Sequence, residues 1–329
     1  MILTQKKRRL FFLLSLGAFF ILVVSVALYS LGYRVGSGFQ IQKTGGIFVQ
    51  TTESGATVLI NGTQAKTTSL LGEQALVKNL TPGVYTVEVS KDTFYPWRKT
   101  LLVAPETVDA RDVILIPTTP VINFIATSSP EREDRRYTLR NHTLYERSGL
   151  KLLPVAFSVQ RYWELPKHRT FLIQGEDDQW YLNKDPQGLA DTFDNAPDEP
   201  NVVPILASLL TSKEHIIFDD NENQVIYWDD HTIGSYWIGQ RKDLPQWQKG
   251  RGLHVLTMPG SIRNVAVYPK HSDYVLMEMG NAVWAVEMDQ AGGQNLIPVY
   301  QGSEPHIIGR TSNGISVSDN KKIVEVELP

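Results

Sequence analysis

Residues 262–287, in the C-terminal part of the chain, have the sequence IRNVAVYPKHSDYVLMEMGNAVWAVE. Three apolar runs, Ile262 to Val267, Tyr274 to Glu278 and Ala282 to Glu287, are separated by two polar turns. Short runs rich in β-branched and aromatic residues, bounded by turn residues, are typical of β-strands. The stretch therefore predicts a unit of three strands joined by short turns.

The same pattern occurs elsewhere in the chain. Leu165-Pro166-Lys167-His168 resembles Tyr268-Pro269-Lys270-His271, and the two prolines lie 103 residues apart. Midway between them, the segment from Asn221 to Trp228 also has a polar turn followed by a β-branched and aromatic strand. Weaker copies occur at Tyr137 to Tyr145 and at Gly314 to Val326. This separation is about twice the ~50-residue unit that propeller blades show.

Residues 121–329, which follow a change of composition at Thr118-Thr119-Pro120, therefore resemble a β-propeller, in which small sheets pack face to face around an axis. We expect an all-β chain whose C-terminal part is a β-propeller-like domain of four or five blades. A single large β-sandwich or an open meander is the alternative.

Length and composition bound the remaining possibilities. The chain has 329 residues, of which 42% are hydrophobic and 20% are charged, which suits two folded domains. The formal net charge of -3 provides no basic surface for a polyphosphate backbone, so we expect no nucleic-acid partner. The absence of cysteine excludes disulfides, thiolate nucleophiles and cysteine-based zinc sites, and it favours a bacterial-type envelope protein.

The N-terminus predicts one transmembrane helix. Four consecutive cations, Lys6 to Arg9, precede residues 10–31, which contain no charged residue. That run is long enough to cross a hydrocarbon core of about 30 Å. The positive-inside rule leaves residues 1–9 as a cytoplasmic tail, places residues 10–31 in the lipid bilayer and exports everything after Arg34.

A cleaved signal peptide is the alternative, because Ser25-Val26-Ala27 has small residues where a signal peptidase cuts. The apolar run is longer than the signal-peptide core of about 7–15 residues and continues through Leu31. This length favours an uncleaved, single-pass anchor. Either interpretation exports the body of the protein.

Residues 45–117, which follow a linker at 32–44, show the two-residue period of strands. In addition, Asn61-Gly62 favours a tight hairpin turn. Five to six short strands over this length indicate a small β-sandwich. Strands are predicted at Thr57 to Ile60, Val84 to Val89, Leu101 to Ala104 and Val113 to Ile116.

At these residues the chain resembles the PEGA domain family. The matching segments are Gly46-Ile47-Phe48-Val49, Glu53-Ser54-Gly55-Ala56, Val58-Leu59-Ile60-Asn61-Gly62 and Leu80-Thr81-Pro82-Gly83-Val84-Tyr85-Thr86-Val87-Glu88-Val89. The chain departs from the family at Thr67-Thr68-Ser69, where Thr-Pro is usual, and at Thr93, where Gly usually precedes the aromatic residue. The resemblance implies a PEGA-like β-sandwich that acts as an extracytoplasmic binding or spacer module without catalytic residues.

Metal and nucleophile motifs are weak. Asp219, Asn221 and Asn223 alternate as in a calcium loop, but Gln224 stands where such a loop needs Gly, so we interpret the segment as a solvated turn. The histidines are scattered, with no pair at the i, i+4 spacing that binds a metal on a helix. No nucleophile elbow or phosphate-binding glycine motif occurs. The sequence therefore predicts no catalytic residue, no metal site and no cofactor.

Acidic residues cluster in hydrophilic turns, and a carboxylate pair of the kind glycosidases use is one interpretation of them. A charged, solvated rim is the other interpretation. The residues concerned are Glu176, Asp177, Asp178, Asp191, Asp194, Asp198 and Glu199.

The aromatic residues Tyr236, Trp237 and Trp247 lie in a glycine-containing stretch and are the candidate partner-binding residues. Projecting from loops, they would form a surface for stacking on sugars or contacting a protein. Burial in the cores of the blades is the alternative, and it is the favoured interpretation for most of the tryptophans, namely Trp163, Trp180, Trp228, Trp237, Trp247 and Trp284.

The sequence thus predicts a membrane-anchored, extracytoplasmic binding protein of the cell envelope that is not an enzyme. A cell-wall glycan or an envelope protein is the expected partner, and the prediction rests on architecture. The alternative is an exported carbohydrate-active hydrolase with paired carboxylates.

Overall fold

The computed structural model describes residues 5–35, 40–68, 73–127, 137–148, 151–165, 170–182, 202–213, 215–239, 244, 254–311 and 313–329. The chain is all-β with one N-terminal apolar helix, as predicted, and it contains a second, shorter helix. It divides into two compact units, which we call the sandwich unit (residues 1–92 and 96–115) and the five-sheet unit (residues 93–95 and 116–329).

The N-terminal helix α1 spans Gln5–Ser30. Its segment Arg8–Ser30 has 23 residues with a mean hydropathy of 2.7, and none of the segment is buried. Among the described residues it is the one helix long and apolar enough to cross a membrane, which suits a membrane anchor or a signal sequence. The predicted linker contains a short hairpin of β1 (Tyr33–Val35) and β2 (Ile41–Lys43).

Two sheets form the rest of the sandwich unit, with strand orders β6-β3-β9 and β5-β4-β7-β8. The pair β3 and β9 is parallel, and the other pairs are antiparallel. The strands are β3 (Gly45–Thr51), β4 (Thr57–Ile60), β5 (Thr63–Thr67), β6 (Gln74–Leu80), β7 (Gly83–Ser90), β8 (Trp97–Val103) and β9 (Val108–Val113).

Most strands predicted for this unit are confirmed. Strand β4 has the predicted bounds, and Asn61 and Gly62 follow it with φ values of 50° and 76°, as a tight hairpin turn requires. The predicted strand from Val113 to Ile116 is wrong, because β9 ends at Val113. Its partner β3 ends at Thr51, opposite Val113, so the ladder has no further pairing there although residues 114–116 are buried.

The five-sheet unit contains eighteen described strands and helix α2. They are β10 (Ile122–Thr127), β11 (Tyr137–Arg140), β12 (Thr143–Ser148), β13 (Lys151–Phe157), β14 (Val159–Leu165), β15 (Thr170–Gly175), β16 (Trp180–Leu182), α2 (Val202–Ser212), β17 (His215–Phe218), β18 (Gln224–Trp228), β19 (Thr232–Trp237), β20 (His254–Thr257), β21 (Ile262–Val267), β22 (Tyr274–Met279), β23 (Ala282–Glu287), β24 (Leu296–Gln301), β25 (His306–Arg310), β26 (Gly314–Asp319) and β27 (Lys322–Glu327).

These strands form five antiparallel sheets in the described part of the chain. In chain order they are S1 (β11-β12-β13), S2 (β14-β15-β16), S3 (β17-β18-β19-β20), S4 (β21-β22-β23-β24) and S5 (β10-β27-β26-β25). Strand β10, the first of the unit, completes S5 beside the last strand, β27. The strands β11, β14, β17, β21 and β25, which we call the first strands, lie at an edge of their sheets, and successive ones contact each other.

The repeated polar turns occupy one position in this architecture. The segment Pro269-Lys270-His271 and the segment at Asn221 each connect the first and second strands of a sheet, whereas Pro166-Lys167-His168 lies outside the described residues. The copy at Gly314 to Val326 is displaced by one strand, because it contains β26 and β27 of S5. In S5 the connection between β25 and β26 is only residues 311–313, which leaves no room for the longer turn.

Helix α2 was not predicted, and its apolar side packs against S2 and S3. Leu206, Leu209 and Leu210 are buried in a cluster that includes Val225 and Tyr227 of β18. Burying each such side chain stabilises the unit by about 1.5–3 kcal/mol. Packing of this helix covers strand residues that would otherwise contact water.

Candidate functional site

The first strands of four sheets line a cavity of about 650 Å³, which we call the central cavity. Its walls are residues 162–164 of β14, 215–218 of β17, 264–267 of β21 and 307–310 of β25, together with Trp228 of β18. Cavities of about 300–1,000 Å³ are typical of sites for small molecules. The central cavity therefore has the size of a ligand site.

The first strands turn their edges toward this cavity. Side chains of a strand alternate between its two faces, so consecutive residues line a cavity when the strand turns its edge toward it. All four first strands contribute consecutive residues, and each is the edge strand of its sheet. Two of their backbone N–H groups are bonded to side chains, because Val265 donates to Oδ1 of Asn264 and Ile307 donates to Oε1 of Glu278.

A charged pair lies at one end of the central cavity. Arg310 is the last residue of β25, and its Nη1 lies 2.7 Å from Oδ1 of Asp220, two residues after β17 ends. This contact places the C-terminal ends of β17 and β25 at the same end of the cavity. The pair is partly exposed, so it contributes at most about 1 kcal/mol to stability. A guanidinium has five N–H donors, and this carboxylate does not use all of them.

An aromatic pair lies toward the other end of β17. His215 is the first residue of that strand, and its ring stacks on Trp228 with centroids 5.2 Å apart and an interplanar angle of 14°. The His215 ring is exposed, whereas Trp228 is 7% exposed. Tyr162 adds a half-buried ring, which its hydroxyl fixes by donating to the backbone oxygen of Tyr137 at 2.8 Å.

A buried carboxylate beside the cavity joins S4 to S5. Glu278 of β22 is 1% exposed. Its Oε1 accepts hydrogen bonds from the backbone N–H of Ile307 at 2.6 Å and from Nδ2 of Asn264 at 3.1 Å. Its Oε2 lies 3.2 Å from Nδ1 of His306 and 3.9 Å from Nε of Arg263. Because Asn264 and Ile307 line the cavity, this network holds two of its walls in place.

The expected loop surface at Tyr236 and Trp237 is wrong. Both residues belong to β19, an inner strand of S3, and each is 3% exposed. Tyr236 packs in the cluster with Val225 and Ile238, so the aromatic residues contribute to the core. Trp247 lies outside the described residues.

The segment that begins at Asp219 is a turn, as interpreted from the sequence. The carboxyl group of Asp219, however, is buried and not solvated. Its Oδ1 accepts from the backbone N–H groups of Asn223 and Gln224 at 2.6 and 2.7 Å, and its Oδ2 accepts from Asn221 at 3.4 Å. The side chain is 2% exposed, and burial raises its pKa above the ordinary value. Among the described residues, no group of three histidine or acidic side chains is arranged to hold a metal.

Two of the predicted acidic turn residues line a second cavity, of about 600 Å³, in the five-sheet unit. Oδ2 of Asp177 accepts from the hydroxyl of Tyr181 at 2.5 Å, and this bond lowers the pKa of Asp177. Glu176 pairs with His142 at 3.0 Å. A general acid needs a raised pKa, so Asp177, whose pKa is lowered, lacks that feature of a glycosidase pair. Residues 191–199 of the same prediction lie outside the described residues.

Sequence reasoning missed the residues of the central cavity. His215, Asn264 and Arg310 belong to three different repeats and share no motif. Their common feature is a position in the first strand of a repeat, and this signal becomes usable only once the repeats are aligned with the sheets.

No family model matches the chain, and no curated protein matches it. Among solved structures, the chain is similar to one described as the AfRom2 CNH domain, with a TM-score of 0.25 and 10% identity, over 90% of this chain and 69% of that one. It is also similar to a putative membrane-associated protein of unknown function from Bacteroides fragilis, with a TM-score of 0.19 and 12% identity, over 86% and 97% of the two chains. At these TM-scores neither similarity bears on function.

Proposed function

We propose that this chain is a membrane-anchored, extracytoplasmic binding protein of the cell envelope, without catalytic activity. Residues 10–31 span the cell membrane, residues 1–9 lie in the cytoplasm, and both β-rich units are exported. The proposal is supported by an apolar helix that is exposed on all sides and follows four cations.

In this proposal the five-sheet unit is a five-bladed β-propeller and the sandwich unit is a PEGA-like spacer. Five successive meander sheets, with β10 closing the last one beside β27, support the propeller. A closing strand of this kind joins the two ends of the unit and removes one free sheet edge.

The observation that carries a binding role is the central cavity. It joins first strands from four sheets, and its lining includes the side chains of Tyr162, His215 and Arg310. Rigid sheets hold these groups in fixed positions, which lowers the entropic cost of ordering them around a ligand. An envelope glycan or an envelope protein is the partner expected at this site.

Capture from envelope fractions tests this proposal. The full-length protein in detergent micelles is compared with Gly309→Trp, which fills the cavity, and with Val255→Trp on the outer strand β20 as the matched control. Gly309 lines the cavity, and a Cβ added there has no heavy atom within 4 Å. Val255 is 45% exposed. We expect the wild type and Val255→Trp to retain the same envelope component and Gly309→Trp to lose it.

Equal retention by both variants would contradict binding at the central cavity. Retention of nothing above background by the wild type would contradict the proposed function as a whole. Folding of each variant is checked by its thermal unfolding curve.

A further inference from the structure

Backbone hydrogen bonds join the end of α1 directly to the two-sheet part of the sandwich unit. The backbone oxygen of Gly32 accepts from the N–H of Thr44 at 3.0 Å and from the Thr44 hydroxyl at 2.9 Å. The backbone oxygen of Thr44 in turn accepts from the N–H of Glu106 at 3.0 Å. The first and last residues of the predicted linker 32–44 therefore meet, and β3 begins directly after Thr44.

The length of α1 places this junction at the membrane surface when the helix spans a bilayer. Residues 10–30 rise about 32 Å at about 1.5 Å per residue, which matches a hydrocarbon core of about 30 Å. The exposed ring of Tyr29 lies near the end of the helix, with the guanidinium of Arg34 3.5 Å from its centroid. Aromatic and cationic side chains of this kind concentrate where hydrocarbon meets the headgroups.

The ladder between β7 and β8 ends beside this junction. A Cβ added to Gly45, the first residue of β3, would lie 2.7 Å from Cγ1 of Val103, the last residue of β8. Val103 pairs with Gly83, the first residue of β7. The headgroup layer beyond the hydrocarbon is about 5–8 Å thick on each side of a bilayer. One or two strand residues at about 3.3 Å each therefore remain within that layer.

The exposed face of β7 and β8 changes from charged to apolar toward the same end. In order toward α1, its cross-strand pairs are Glu88 with Arg98, Thr86 with Thr100 and Val84 with Leu102. Val84 is 64% exposed and Leu102 is 69% exposed. In the other sheet, Val108 begins β9 opposite Gly46, and its side chain is 55% exposed. Apolar side chains are thus exposed where both sheets approach the end of α1.

We infer that the sandwich unit docks on the lipid bilayer through Val84, Leu102 and Val108, which we call the membrane-facing surface. The inference rests on the proposed function, because it requires α1 to span the membrane. Lipid is the occupant, since this surface continues from the membrane helix through the hydrogen bonds of Thr44. Aliphatic side chains gain free energy by entering the boundary between headgroups and acyl chains, so lipids without net charge suffice.

Spin labelling of the full-length protein in phosphatidylcholine nanodiscs tests the inference. The chain contains no cysteine, so a single introduced cysteine carries the only nitroxide. Leu102→Cys probes the membrane-facing surface, and Leu22→Cys probes α1. The matched control is Arg98→Cys, which lies on the same face of β8 but about 13 Å farther from its end, at about 3.3 Å per residue.

Power saturation measures how accessible each label is to oxygen, which concentrates in lipid, and to a nickel chelate, which stays in water. We expect a higher oxygen-to-nickel ratio at position 102 than at position 98, shifted toward the ratio at position 22. Val108→Cys should give the same result as Leu102→Cys from the other sheet.

Equal ratios at positions 102 and 98, with position 22 in lipid, would overturn the docking and leave the membrane anchor intact. Low accessibility of position 102 to both reagents would also overturn it, because that pattern indicates a contact with a second copy of the chain. A label at position 22 that is open to the nickel chelate would contradict the anchor of the proposed function and the docking with it.

Discussion

The two units of the chain bury their strands differently. In the sandwich unit, β8 alternates buried and exposed residues along its whole length, with Trp97 inside and Leu102 outside. In the five-sheet unit, every residue of β22 is buried, including the carboxylate of Glu278. A strand with one solvated face can direct most polar side chains to water, whereas a strand buried on both faces must satisfy its polar groups internally.

This difference fits the roles proposed for the two units. The sandwich unit directs one face of β8 to solvent. In the five-sheet unit the buried network at Glu278 supports the walls of the central cavity. A spacer needs only a stable core, whereas a binding site also needs polar groups held in fixed positions.

The substitution with the largest expected effect, Trp97→Ala, tests whether the two units unfold independently. Trp97→Ala removes a completely buried ring from the sandwich unit and should lower its free energy of unfolding by about 3–5 kcal/mol. Calorimetry of the full chain should show one transition moving to lower temperature while that of the five-sheet unit stays in place.

Val84→Ala is the control, because Val84 is 64% exposed, and it should change stability by less than about 0.5 kcal/mol. If both transitions shifted in Trp97→Ala, the two units would not unfold independently.

Glu278→Ala tests the polar network of the five-sheet unit. The change leaves the N–H of Ile307 and the amide of Asn264 without their acceptor, and each unpaired buried group costs about 1–3 kcal/mol. Urea unfolding should show a loss of that size in the five-sheet unit. Glu304→Ala removes a carboxylate that is 77% exposed and should be nearly neutral. Equal effects of the two substitutions would remove the structural role assigned to Glu278.

Asp219→Asn tests how the stability of the five-sheet unit depends on pH. The folded-state pKa of Asp219 is raised by burial, so over the range between its unfolded and folded pKa values the folded state binds more protons. Its contribution makes the five-sheet unit less stable as the pH rises through that range. Asparagine keeps the Oδ1 acceptor for Asn223 and Gln224 but does not titrate.

The variant should therefore gain stability relative to the wild type as the pH rises. Urea unfolding at a series of pH values measures this difference. Parallel pH profiles of the two proteins would be evidence against the raised pKa.

Arg310→Ala has the smallest expected effect on stability. The pair with Asp220 is partly exposed, so its loss should lower the free energy of unfolding by about 0–1 kcal/mol, while binding at the central cavity weakens. Capture from envelope fractions and urea unfolding of the same preparation separate the two quantities. A large loss of stability with unchanged binding would assign Arg310 a purely structural role.

Local patterns predicted many strands well. Strand β4 and the three strands β21, β22 and β23 follow directly from alternating or continuous apolar runs between turns, and their bounds agree to within one residue. The displaced end of β9 depends on where its partner β3 ends, and the sequence of β9 alone does not contain this information.

The candidate site could not be predicted in the same way. Tyr236 and Trp237 lie between glycines and resemble loop residues, but they end strand β19, pair with Val225 and Gln224 of β18 and are buried in the core. The central cavity joins residues from 162 to 310, which meet only because the first strands of successive sheets are neighbours. Such a site is a property of the tertiary arrangement of the repeats.

Site-specific photocrosslinking in intact cells tests whether the exported five-sheet unit binds an envelope component in its central cavity. A benzoylphenylalanine replaces Gly309 in one version of the full-length protein and Val255 in another. We predict a covalent adduct with an envelope component from position 309 and none from position 255. An adduct from position 255 alone, or crosslinks from position 309 only to cytoplasmic components, would contradict the account.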